Sequence, residues 1–206
     1  MPCDCGHASG NTENERKTLR VAPGLNATMF VVNMAAGLWA QSSGLMADAL
    51  DMLTDATAYA LGLMAVTRGM RFKQSSARWT GATLMLLSAG IVADVIRRFW
   101  FGSDPLGAAM VGFSLLSLFV NVTVLRMLAQ YRQGEGHMRA SWICTRADVV
   151  ANFGVLVSGL VVLATDWRYA DLIVGVAIGI YVAKEATEIW RQARHPYEVL
   201  SALPER

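Results

Sequence analysis

"ADALDMLTD", residues 47–55, sets Asp48, Asp51 and Asp55 inside an otherwise apolar run from Leu45 to Val66. On a soluble helix, carboxylates so placed would simply face water. At the centre of a bilayer each costs about 2.5–3.5 kcal/mol to insert on the translocon scale. Which solvent surrounds the run therefore decides how the whole chain is to be read.

The composition answers for a membrane. Of 206 residues, 54% are hydrophobic and only 17% charged, and the mean hydropathy is +0.36, which departs from an ordinary soluble protein. Crossing the hydrocarbon takes roughly 20 mostly apolar residues. Six stretches approach that length: about 22–41, 45–67, 79–99, 106–129, 142–165 and 170–190. "QSSG" alone divides the first two, so they form a tight helical hairpin. No stretch alternates as a strand would. The expected fold is all-α: a polytopic membrane protein built as a six-transmembrane-helix bundle. The boundaries read as a tail over 1–20 holding a Cys/His cluster, a membrane domain over 21–190 and a second tail over 191–206.

Charge fixes the expected orientation. Most Lys and Arg fall in alternate segments, such as Arg68, Arg71, Lys73 and Arg78 between the second and third runs. By the positive-inside tendency both termini are then cytoplasmic. Arg97 and Arg98 fall on the other side, where Asp94 is placed to pair with them at i+3 and i+4. A net charge of +2 with dispersed basic residues leaves no footprint for nucleic acid. Three cysteines make no disulfide framework, and residues 1–20 carry no apolar core of a secretory signal.

The intramembrane carboxylates point to a cation. Asp48, Asp51 and Asp55 follow i, i+3, i+7 and share one helix face. On a buried face they repel one another unless protonated or bridged by a positive ion. "CTRAD" in the fifth run repeats the spacing with Cys144 and Asp148. Asp51, Asp55, Cys144 and Asp148 would together give a tetrahedral set of thiolate and carboxylate donors, which suits zinc or cadmium better than magnesium. A fifth helix counted from Trp142 puts its pair too near one end, whereas a start near Gly136 brings the two pairs to equal depth. Arg146, about 200° around that helix from Cys144, should point away.

The remaining polar residues divide by role. Asp48 is a second metal ligand, a proton relay, or a hydrogen-bond partner for Asn26 or Asn33. Asn26, Asn33, Asn121 and Asn152 read as hydrogen-bond links between helices. Asp171, opening the last run, reads as interfacial. Cys3, Cys5 and His7 in "CDCGH" form a candidate metal-capturing tail, one ligand short of a closed zinc site.

"GLMADALDMLTDATAYALGLMAV" and "WICTRADVVANFGVLVSGLVV" resemble the second and fifth membrane helices of the cation diffusion facilitator family. The resemblance covers roughly residues 22–190. It implies Asp51 and Asp55 as ligands of the second helix and Asp148 as a ligand of the fifth. Cys144 stands where that family usually has His, which points toward softer ions such as cadmium. Family members usually carry a cytoplasmic domain after the sixth helix, and the residues after Trp190 are too few to make one. Dimer formation is then expected through membrane helices.

The function expected from these readings is a zinc or cadmium/proton antiporter. It is not an enzyme and needs no cofactor, with a bacterial inner membrane as its place. Two other readings compete: an intramembrane aspartyl protease, whose Gly-x-Gly-Asp signature is missing here, and a membrane metal sensor that does not transport.

Overall fold

The breaks between the apolar runs hold the residues a helix tolerates least, and the chain reverses at them. The computed structural model describes residues 13–68, 70–129 and 136–194, with side chains placed for 21–58, 60, 75–129 and 145–191. These residues form six helices and no strand: α1 (Glu13–Trp39), α2 (Ser43–Arg68), α3 (Met70–Phe101), α4 (Gly107–Ala129), α5 (Gly136–Thr165) and α6 (Tyr169–Arg194). Left-handed backbone at Gln41, Gly102 and Asp166 turns the chain after α1, α3 and α5. These three turns share one end of the bundle, the hairpin end.

The six expected runs appear in order, yet several helices outlast them. α1 starts at Glu13 rather than near 22, and α3 at Met70 rather than near 79. Hydropathy marks only the part of a helix that can lie in hydrocarbon, while polar turns continue the hydrogen-bonded spiral beyond it.

The bundle turns large apolar side chains outward, as lipid requires, and buries polar side chains within an apolar core. Val31, Leu86, Ile96, Phe119, Val150 and Ile173 are exposed, while Asn33, Asp48, Ser88, Ser117, Asn121 and Asn152 are buried. Trp39, Trp100 and Trp167 stand exposed at the hairpin end, and Trp79 stands exposed near the start of α3. Indole rings at both rims are what a membrane–water interface selects. Among the described residues, Val21–Trp39, Ser75–Phe101, Gly107–Ala129 and Thr145–Thr165 are long and apolar enough to span. α2 is the central helix and packs against each of the other five.

Close helix contacts set the depth of α2. A Cβ on Gly175 would come within 2.9 Å of the Ser43 carbonyl carbon, and one on Gly107 within 2.7 Å of Leu163 Cα. These glycines let backbones touch, the small-residue packing that membrane helices favour. Gly175→Val is therefore expected to push α6 off α2 at a cost of about 1–3 kcal/mol. The check is the thermal midpoint in detergent, with Gly112→Val as control because a Cβ there meets nothing within 4 Å.

Two charged groups fasten the hairpin end. Asp94 pairs with Arg97 at 2.7 Å and also with Arg98, as its spacing predicts. Arg98 goes further: it is buried and donates to the Gln41 carbonyl, tying α3 to the α1–α2 turn. Asp171 stands at the hairpin end but is fully buried against the start of α2 rather than open to water. Ser42 Oγ donates to it at 2.6 Å, Ser43 N–H at 2.7 Å and Gly44 N–H at 2.9 Å. Leu45 N–H donates to Ser42 Oγ at 3.1 Å. The first orphan amides of α2 are thus satisfied, two of them by a carboxylate from another helix placed where the helix dipole favours negative charge.

Candidate metal centre

Depth along the bundle follows from contacts already in place. α5 runs antiparallel to α2, and a Cβ on Gly44 would touch Val155 Cγ1 at 3.6 Å. Moving seven residues, about 10 Å, from that contact along each helix arrives at Asp51 on α2 and Asp148 on α5. Four residues further lie Asp55 and Cys144, at one level. The start of α5 at Gly136 removes the mismatch in depth that a start at Trp142 would create.

Burial agrees with this register: Asp51 and Asp148 are buried and Asp55 is half-buried, with Asp148 level with Asp51 and Asp55 one turn further along α2. Carboxylates carry no donor of their own when ionised. Asp148 Oδ2 has no hydrogen-bond partner among the described residues, and none of the ion pairs described includes Asp51, Asp55 or Asp148. Such a group is satisfied by a proton or a cation. No three His, Cys, Asp or Glu side chains among the described residues close into an ion cage as they stand. Cys144 lies on α5 by its backbone, but its side chain is outside the described residues, as are Cys3, Cys5 and His7 altogether.

Asp48 is engaged in a different way. Asn33 Nδ2 donates to Asp48 Oδ2 at 2.6 Å and to Ser117 Oγ at 2.6 Å, so one amide links α1, α2 and α4. The hydrogen bond to Asn33 is one of the three roles open to Asp48 from sequence. Asp48 Oδ1 has no partner among the described residues. Asn152 and Asn26 diverge from the expected linking role. Asn152 donates to the carbonyl of Asp148 on its own helix at 2.8 Å. Asn26 is buried with neither side-chain polar atom bonded. Two turns from Asn33, it stands at the level of Asp55, two turns from Asp48. Arg146 is exposed, as its angle on the helix requires.

Sequence reasoning missed Glu185. It is half-buried on α6, and Tyr181 Oη donates to its Oε1 at 2.8 Å. Counted from Gly175 against Ser43, it stands at the height of Asp51 and Asp55 on α2. The available signal was the stripe Asp171, Gly175, Ile178, Val182, Glu185, spaced by four and three along the face that meets α2.

Residues 19–195 match the family model described as the cation efflux transmembrane domain. The chain belongs to the cation efflux family. This cation efflux chain is 27% identical over 192 residues to the zinc transporter ZitB of Yersinia pestis, an alignment covering 86% of the chain and 61% of the relative. It is 22% identical over 189 residues to the metal cation efflux system protein CzcD of Cupriavidus metallidurans, covering 86% and 60%. A cadmium, cobalt and zinc/H(+)-K(+) antiporter of Bacillus subtilis is 22% identical over 203 residues, covering 90% and 65%. The chain thus spans about three fifths of the length of the first of these relatives. The resemblance carried by the α2 and α5 motifs and the family match agree on the same membrane domain.

Proposed function

We propose that this cation efflux protein is an antiporter that exports zinc or cadmium from the cytoplasm in exchange for protons. The cargo is held by Asp51, Asp55, Cys144 and Asp148. The observation that carries this reading is the register that sets buried Asp148 level with Asp51 and one turn from Asp55, with an oxygen of Asp148 unpartnered among the described residues. The names of the relatives, two of them metal efflux or zinc transport proteins and one a metal/H(+)-K(+) antiporter, favour transport and give no support to the protease or sensor readings.

Exchange follows from ligand chemistry. Carboxylates and a thiolate bind metal only when deprotonated, so cation and protons compete for the same atoms. In an inward-open bundle the ion displaces protons, and in an outward-open one protons displace the ion as the helices rock around a fixed site. The reading places the protein in a bacterial inner membrane with both termini cytoplasmic, where the Cys3, Cys5 and His7 tail captures metal before loading. Two copies pair through their membrane helices.

The test of coupling is proton movement in proteoliposomes carrying a pH dye. Zinc entry is expected to drive protons out of the lumen in step with it, and zinc entry with no proton movement would sink antiport. Cys144→His is expected to move the cadmium-to-zinc flux ratio toward zinc, since imidazole is a harder donor than thiolate. A ratio identical to wild type would remove Cys144 from the site.

A further inference from the structure

Parallel register places an acidic residue of α6 beside the two carboxylates of α2. Gly175 sits against Ser43, and both helices run away from the hairpin end. Ten residues on, Glu185 is level with Leu53, midway in height between Asp51 and Asp55. It belongs to the stripe of α6 that begins with Asp171 on the α2 N-terminus, so it lies on the side facing α2. Tyr181 holds one carboxylate oxygen at 2.8 Å, which fixes the rotamer and leaves further acceptor capacity on the group. Asp148, 4% exposed and level with Asp51 along α5, has its Oδ2 unpartnered among the described residues.

We propose that Glu185 is an α6 ligand of the transported cation, positioned by Tyr181, so that the site draws on three helices rather than two. The inference rests on the transport reading above. An additional carboxylate oxygen makes the site harder than a thiolate–aspartate set and widens it toward ions such as cobalt. It also links the cargo to α6, and hence to α3, the helix against which α6 packs most extensively.

The test is calorimetric titration of the purified full chain with zinc, cobalt and cadmium, comparing wild type with Glu185→Gln, Tyr181→Phe and Asp148→Ala. Gln keeps an oxygen that can accept from Tyr181, so a purely structural role predicts no change in E185Q. A ligand role predicts affinity lowered by about 10-fold or more, with cobalt losing more than cadmium. Tyr181→Phe frees the carboxylate without removing it and is expected to give a smaller, several-fold loss. Wild-type affinities in E185Q alongside lost binding in Asp148→Ala would overturn the assignment of Glu185 and leave the α2–α5 site standing. Wild-type affinities in both variants would overturn the site itself, and the inference with it. Should E185Q fail to fold, Tyr181→Phe decides, and unchanged affinity there overturns the proposal.

Discussion

Asp148→Ala is expected to bring zinc flux to the background of protein-free liposomes and to weaken zinc binding by at least about 100-fold, beyond what loss of a supporting residue costs. The size of the effect follows from position. In the proposed site Asp148 is the α5 carboxylate level with Asp51 and one turn from Asp55, so its loss would remove the α5 carboxylate donor to the ion. Asp148→Asn keeps shape and one oxygen but loses the charge. It is expected to bind zinc weakly while folding normally. Asp48→Asn provides the contrast, because Asp48 is held by Asn33 in a link among α1, α2 and α4; it should retain most zinc binding. Equal losses in the Asp48 and Asp148 variants would place Asp48 in the cargo site.

Asp171→Ala should be the most destabilising single change at the hairpin end, by about 2–4 kcal/mol. Hydrogen bonds to a charged group contribute about 1.5–3 kcal/mol each and are not additive, and loss of a helix cap costs about 0.5–2 kcal/mol. The variant leaves the Ser43 and Gly44 amides and the Ser42 hydroxyl buried without their acceptor. A fall in thermal midpoint on the order of 5–10 °C is expected for a chain of this size. Transport should fall with it, because the same contact sets the depth of α2 against α6. Asp171→Asn, which keeps one acceptor oxygen, should recover part of the loss. A midpoint unchanged in Asp171→Ala would mean that α2 begins where it does for another reason.

These cases divide what the sequence discloses from what it hides. Helix number and order were legible because each run of about 20 mostly apolar residues bounded by polar breaks is a local property of the sequence. The pairing of Asp94 with Arg97 and Arg98 was legible for the same reason, since partners three and four residues apart depend only on the helix itself. Asp171 was not. An aspartate opening an apolar run looks interfacial, and its partners at Ser42–Gly44 lie more than 120 residues away in the chain. Glu185 was hidden by its neighbours, for "KEATEIW" reads as a solvated helix end until the register of α6 against α2 is known. The facing of Asp51, Asp55 and Asp148 lay between these extremes. Spacing put each pair on one helix face, but their common depth depended on α5 starting at Gly136.

The most direct test of the central claim is zinc flux into proteoliposomes under an imposed pH gradient, with wild type and the Asp51→Ala/Asp55→Ala double variant reconstituted side by side. Gradient-dependent uptake by wild type and none by the variant is the expected result, with both proteins showing the same helical content. Equal uptake by the two would contradict the account, because the carboxylates of "ADALDMLTD" would then lie in the membrane for some purpose other than carrying the ion.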